Sequence, residues 1–423
     1  MCRWNGMLRC WTPGLALFLA VAVGLETKGA SGDWVQFRGN EGQGVAPDAD
    51  PPIDWSESEQ VQWKATVPGA GWSSPVIKDE LVYVTSAVSS SDGSGGKLQV
   101  IAFHLDSGEL AWATDVFDLP VDGVKHDKNS HASATPVLSG NRVFAHFGHF
   151  GTACLSIDGT VQWRQDTLGY EPVHGNGGSP ILVGDKVIYS ADGKANPAIV
   201  ALDSDTGKLA WKRERNTGAS RKFSFSTPLL VSVNGRREII SPASGAVFAY
   251  APETGEELWH VDYGQGYSVV PRPIAGHGHV YVATGFGRPN VLAIRLGGRG
   301  DLSDSHVTWK TSRSGPKTPS MLLLGDKLYY VSDGGIVSCV NALTGARIWQ
   351  DRVKGNVSAS PIIAGGRIYV ATEEGVIYVL RAGDTFELLA ENRFAGRIFA
   401  SPAVTGNALI VRTETQLFRI EKQ

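Results

Sequence analysis

The strongest constraint on this chain is a pattern that returns eight times. Each copy opens with a proline at the head of a short apolar stretch, at Pro75, Pro136, Pro180, Pro228, Pro273, Pro319, Pro361 and Pro402. The clearest copy reads Ser179-Pro180, Ile181-Leu182-Val183, a Gly184-Asp185 turn and Val187-Ile188-Tyr189. It continues through Ile199 to Asp203, turns at Thr206-Gly207 and ends at Trp211. Short apolar stretches separated by Gly, Asp and Asn are strands joined by tight turns. Four strands in a repeat of about 40 to 50 residues make one propeller blade. Proline suits a strand head, where no ladder donor is needed, and the turn glycine supplies a positive φ.

Tryptophans close the fourth strands of blades one to six, at Trp112, Trp163, Trp211, Trp259, Trp309 and Trp349, with Leu389 at the matching place in blade seven. Repeated aromatics of this kind are packing residues, each expected to cover the turn glycine of the next blade. Blade eight runs out of chain after Phe418 and Ile420, while Val61-Gln62-Trp63-Lys64, a stretch of fourth-strand character, stands before the first opening proline. The fold class expected is all-β: an eight-bladed β-propeller with its ring closed by an N-terminal strand, which removes an exposed edge.

The first residues read as an export signal. Arg3 and Arg9 flank an apolar run, Trp11 to Gly24, that is short for a membrane span, and small residues follow. The expected organisation is a signal peptide over 1–30, an N-terminal extension over 31–53 and the propeller over 54–423. Cys2 and Cys10 precede the apolar run, so neither stands where a lipid-attachment cysteine would. A periplasmic or secreted protein without membrane insertion is expected. The charge balance, 39 basic against 42 acidic side chains, argues against a nucleic-acid partner. Cys154 and Cys339 align with Ala201 and Ala249 in third strands of blades two and six, on opposite sides of the ring. They are expected to be free, buried thiols.

The stretch Ala201-Leu202-Asp203-Ser204-Asp205-Thr206-Gly207-Lys208-Leu209-Ala210-Trp211 resembles the docking motif of pyrroloquinoline-quinone-like propeller repeats. Thr254-Gly255 to Trp259 and Thr344-Gly345 to Trp349 repeat its second half. The resemblance covers residues 54 to 423, and the opening Trp34-Val35-Gln36-Phe37-Arg38-Gly39 resembles the start of secreted members from planctomycete-like bacteria. The family holds quinoprotein dehydrogenases and non-catalytic proteins, among them the outer-membrane assembly lipoprotein of the β-barrel machine. The dehydrogenases resemble one another in a vicinal cysteine pair over the quinone and a calcium site. This sequence has no adjacent cysteines.

Strand alternation places the residues before each opening proline, and the loops between second and third strands, on one face, here called the top. Five of the ten histidines fall there, His126, His131, His146, His149 and His174. Asn129, Asn176, Tyr267, Arg272, Lys317, Asn356 and Arg397 are expected at the same rim, with Asp192, Asp333, Glu373 and Glu374, giving a polar mouth of mixed charge. This arc is the expected ligand site. His146 and His149 are three apart and His126 and His131 five apart, which are weak metal signatures. No Gly-x-Ser-x-Gly, phosphate loop or His-Glu-x-x-His occurs. The Ser- and Gly-rich insertion from Ser86 to Gly96 is expected to be a flexible top-face loop. The expectation is a non-catalytic scaffold, with no catalytic residue, resident metal or cofactor, that binds a protein, small molecule or glycan in the top funnel. A second reading keeps a quinoprotein oxidoreductase or metal-dependent enzyme in the same funnel, with any metal at the histidine arc.

Overall fold

In the computed structural model, which describes residues 1–2 and 32–422, strand pairing resolves into eight separate sheets, one per blade. The expected leader, Arg3 to Gly24, lies outside the described residues. Blade one pairs Val76–Lys78, Leu81–Ser89, Gly96–His104 and Leu110–Leu119 in consecutive antiparallel order, and the other blades repeat that order. Blade eight takes three strands from the C-terminus and its outer strand, Val61–Thr66, from the N-terminal side. Val61–Thr66 runs antiparallel to Gln416–Glu421 with Trp63 opposite Arg419. An N-terminal and a C-terminal segment thus share one sheet, and the ring is closed as the unpaired fourth strand implied.

The closing tryptophans show why the repeat needs glycine at its last turn. Trp63 donates its indole N–H to Leu105 O, Trp112 to Ile157 O and Trp163 to Ser204 O, all at 2.9 Å. Each ring lies on the turn of the following blade. A Cβ on Gly108, Gly159, Gly207, Gly255 or Gly345 would stand 2.5–2.7 Å from an indole atom, and all five have φ between 68° and 89°. Trp259 departs from this pattern: its N–H goes to Glu238 Oε2 inside its own blade, 2.7 Å away. There Gly300–Asp301, from the long last turn of blade five, adds in parallel to blade four.

Register corrects two sequence expectations. In blade seven the bulge between Val379 and Leu380 puts Ala390, not Leu389, at the tryptophan place. In blade six the strand begins at Leu322, and Met321 rather than Pro319 follows the residue that takes part in the inner ring described below. The cysteines hold their expected places, Cys154 opposite Trp163 and Cys339 opposite Trp349, just as Ala201 faces Trp211. Both are free and buried, and burial pushes their thiols up, to about 11 and about 12.

One segment differs from expectation, and another is more ordered into the ring than its sequence alone indicates. The Ser86–Gly96 insertion is mostly a lengthened hairpin: Val88 pairs with Lys97 and Ser89 with Gly96, leaving a short turn. The N-terminal extension is paired to the inner strands. Trp34 and Ile77 exchange backbone bonds of 2.8 and 2.9 Å, and Val35 O accepts from Leu138 N. Farther along, Gln43 accepts from Ala275 N at 2.9 Å, and Val45–Ala46 pairs in parallel with the inner strand of blade seven. The segment therefore plugs the lower end of the channel. Arg38 and Arg272 are fully buried in it. Arg38 donates to Pro361 O, Gln43 O and Met321 O at 3.0, 2.9 and 2.6 Å. Arg272 donates to Pro228 O, Phe37 O and Gln36 Oε1. Carbonyl dipoles, not carboxylates, accept from these guanidiniums, and Arg38 Nε is left without a partner among the described residues. Burial first, then the charge of Arg272, lowers Arg38 to about 9.

Candidate functional site

The top end of the channel is built from two layers, two residues apart, just before each inner strand. The lower layer is a ring of hydroxyls. The backbone N–H of Ser74 donates to Thr135 Oγ1, that of Thr135 to Ser179 Oγ, and that of Ser179 to Thr227 Oγ1, each at 2.9 Å. After a break at Arg272 the chain resumes to Ser320 and Ser360 and returns from Ser401 to Ser74 at 3.1 Å. Every hydroxyl in it accepts an N–H from the neighbouring blade, so the ring ties the inner strands together. Ser360 also donates to Ser320 Oγ. The other six hydroxyls donate to no acceptor among the described residues, and all seven residues line the channel.

The upper layer follows from the period-two alternation of extended chain. It comprises Trp72, Ser133, Gly177, Phe225, Val270, Thr318, Ser358 and Phe399, each half-buried where the hydroxyl layer is buried. Trp72 and Phe399 stack across the first and last blades, centroids 4.5 Å apart. Phe223, Tyr267 and Phe286 come from neighbouring loops and extend the aromatic wall. Together they enclose a cavity of about 400 Å³ that opens at the top and meets Phe37, from the plug, at its floor.

Cations stand over this wall. The Arg221 guanidinium lies 4.3 Å from the Tyr267 centroid, Lys317 Nζ 5.5 Å from Phe286 and Arg397 4.6 Å from Phe399, within the range of cation–π attraction. Lys128 reaches Glu373 of blade seven with contacts of 2.9 and 3.0 Å, a tie spanning the mouth. Among the described residues no carboxylate lines the cavity.

The expected arc of side chains divides in this geometry. His126, Asn129, His174 and Tyr267 line the cavity. Asn129 staples two loops, donating to His174 O at 2.8 Å and Asn176 O at 3.2 Å. Burial, and then His126, lowers the pKa of His174. Lys317 and Arg397 stand over the aromatic wall, as above. His131 and His149 pack beside the cavity on Phe150, at 5.6 and 3.9 Å. His146 is fully buried, stacked on Tyr189 at 4.1 Å with Nδ1 2.8 Å from Thr152 Oγ1, and burial lowers it to about 3. Asn176 is buried under Tyr170. Asn356 is occupied by Glu374. Arg272 points down to the plug and not to the mouth, and Asp192 is buried against Arg215 at 3.4 Å. These loops are long enough to fold back on themselves, so arrival at the top face did not guarantee a place on the axis.

Apart from Tyr267, the aromatic wall escaped the sequence reading, as did Lys128 and Arg221. Their signal was available: Trp72, Phe225 and Phe399 each precede a hydroxyl of the inner ring by two residues.

Comparison with known proteins fits this architecture. Residues 96–336 and 333–422 match the family model described as outer membrane protein assembly factor BamB. The protein of that name from Legionella pneumophila (strain Paris) is 27% identical over 206 residues, 47% of this chain and 49% of that one. That from Burkholderia pseudomallei (strain K96243) is 25% identical over 339 residues, 77% of this chain and 78% of that one. The chain thus spans about half the length of the first of these relatives. Among solved structures, BamB from Moraxella catarrhalis superposes with a TM-score of 0.60 at 17% identity, covering 85% of this chain and 96% of that one. Quinohemoprotein alcohol dehydrogenase from Comamonas testosteroni gives 0.62 at 11% identity, covering 93% and 81%. At these identities the structural likeness speaks for the fold alone. The family match, spanning most of the eight blades, places this chain in the pyrroloquinoline-quinone-like propeller family described as outer membrane protein assembly factor BamB.

Proposed function

We propose that this chain is an exported, non-catalytic binding propeller whose axial top pocket receives part of a protein partner. The observation that carries this reading is the pocket itself: a closed-ended, aromatic-walled cavity of about 400 Å³, at the small end of the range for ligand sites. The relatives' description as assembly factors for outer membrane proteins supports a protein partner. The leader-like start supports export, to the periplasm or beyond.

The quinoprotein reading fits this pocket poorly. A quinone site with calcium asks for carboxylates, and none lines the cavity among the described residues. No group of three or more His, Cys, Asp or Glu stands close enough to hold a metal among them. The two buried cysteines belong to separate blades, two and six.

The test is a photo-crosslinking residue placed at Phe223 on the top and, separately, at His277 on the bottom, in cells making the full chain. Adducts to a defined protein from position 223 alone support the reading. Adducts from position 277 alone, or alcohol oxidation by purified protein given quinone and calcium, would overturn it.

A further inference from the structure

We propose that the axial pocket takes the C-terminal residue of a polypeptide, when that residue is tyrosine or tryptophan. Its ring would lie between the aromatic walls, with its polar tip on the hydroxyl ring and its carboxylate at the cations of the mouth. This rests on the reading of the pocket as a protein-binding site and names what it binds.

Three features converge. The wall is aromatic on opposite sides, with Trp72 and Phe399 from blades one and eight and Phe225, Phe223 and Tyr267 from the arrival loops of blades four and five. Such a slot favours a flat ring. Below it lies the hydroxyl layer, where Ser74, Thr135, Ser179, Thr227, Ser320 and Ser401 accept backbone N–H groups and keep their own protons unspent. A hydroxyl can also accept a further bond. The floor thus serves a phenol O–H or an indole N–H, which a phenylalanine or leucine side chain cannot offer.

Charge decides which end of the ligand stays outside. The nearby carboxylates are engaged: Glu373 accepts from Lys128 and Ser358, and Asp333 from the Lys317 backbone and Thr318. Arg221, Lys317 and Arg397 have no carboxylate within ion-pair range among the described residues. They lie instead on the faces of Tyr267, Phe286 and Phe399. Three cations without an ion-pair partner therefore stand at the mouth, and a carboxylate carried beside the inserted ring would pair with them.

A chain terminus suits the site better than a mid-chain segment, because Phe37 closes the floor and leaves one opening. It also suits it better than a free aromatic acid. The loop that supplies His126 and Lys128 holds Val121 and Val124 exposed at 66% and 51%, an apolar shoulder for the preceding residues of a bound chain.

The experiment is a binding titration of the full chain with fluorescently labelled hexapeptides ending in Tyr, Trp, Phe or Leu, each as free acid and as C-terminal amide. The Tyr and Trp acids should bind; their amides should bind about tenfold or more weakly, and the Phe acid about threefold to tenfold more weakly. Arg221→Gln with Lys317→Gln should erase the acid-to-amide difference at an unchanged unfolding midpoint. Thr227→Val should narrow the Tyr-to-Phe difference, and if that variant fails to fold, the Tyr-to-Phe ratio of the parent chain still decides. Equal binding of acid and amide overturns the proposal but leaves a top-face protein site intact, as crosslinking at position 223 would show. Binding of free 4-hydroxyphenylacetate as tight as that of the peptides overturns it in favour of a small acid. No binding by any peptide overturns it outright.

Discussion

The two ends of the central channel are lined by the same eight inner strands, yet they are finished in opposite ways. The lower end is filled by the chain's own Trp34–Ala46 segment, whose Arg38, together with Arg272 of blade five, donates to carbonyls of three blades and of the plug itself. The upper end keeps a cavity walled by half-buried aromatic rings, over hydroxyls with unspent protons. Cations are buried below and bonded mostly to dipoles; above they stand on ring faces. Where polar groups are satisfied internally, the protein gains stability and has nothing left to offer. Where they are not, a partner can supply what is missing.

If the lower end is a structural seal, breaking it should cost most. Arg38→Ala leaves the carbonyls of Pro361, Met321 and Gln43 without their donor, and a loss on the order of 4 kcal/mol is expected in urea unfolding. A loss under about 1 kcal/mol would show that the plug does not hold the ring.

Next in size is a pair of glycines. Gly108→Ala combines φ +73° with a Cβ 2.6 Å from Trp63, whereas Gly140 has φ +56° and open space around it. The first substitution should cost about 2–4 kcal/mol, adding overlap to backbone strain, and the second about 1 kcal/mol. Equal costs would mean that the tryptophan moves aside freely and that blade contacts are softer than described.

Acid should weaken the upper rim before the plug. His146 is held neutral in the fold at about 3, against an ordinary value of 6.5, because it is buried. Below 6.5 the unfolded chain takes up a proton that the folded chain refuses. Stability is thus present above that pH and is lost as pH falls toward 3. Asp192 works the other way. Burial holds its carboxyl above the ordinary range, with Arg215 opposing, so the fold keeps a proton that the unfolded chain releases, and stability falls as pH rises through that window. Melting temperature against pH should be flatter on the acid side for His146→Gln and flatter on the neutral side for Asp192→Asn. An unchanged acid limb in His146→Gln would assign the acid loss to other groups.

The smallest stability changes are expected at the mouth. Arg221→Gln and Tyr267→Ala should leave the unfolding midpoint nearly in place, within about 0.5 to 1 kcal/mol, while reducing partner capture. His131→Ala with His149→Ala should do the reverse, since both rings pack on Phe150 beside the cavity. Their loss should lower the melting temperature and spare binding in the folded fraction. If that double variant abolished binding without a change in melting temperature, the site would extend outward along blades two and three.

The repeat made much of the fold legible. The closing tryptophans, the turn glycines and the unpaired strand around Trp63 express one local rule applied eight times, and a local rule is visible in a linear chain. It failed where the rule itself slips, at Pro319, where Met321 holds the place, and at the blade-seven bulge that moves the tryptophan position to Ala390. The candidate site was harder to read. His126, Asn129, His174 and Tyr267 reached the axis as the arrival loops suggested, but His146, Asn176 and Arg272, on segments of the same kind, are buried elsewhere. Position in a loop fixes which face a residue is near, whereas its direction depends on what the neighbouring loop leaves open.

By itself, then, the sequence determined the blade: strand, turn, strand, and a tryptophan over a glycine, because those follow from alternation, φ and side-chain volume within about 45 residues. Only the tertiary structure decided the channel. The hydroxyl ring needs one residue from each of seven blades, the plug needs Phe37 and Arg38 carried to blades hundreds of residues away, and the cationic mouth needs Arg221, Lys317 and Arg397 gathered around one axis. Each is a relation between distant segments that exists only once the ring has closed.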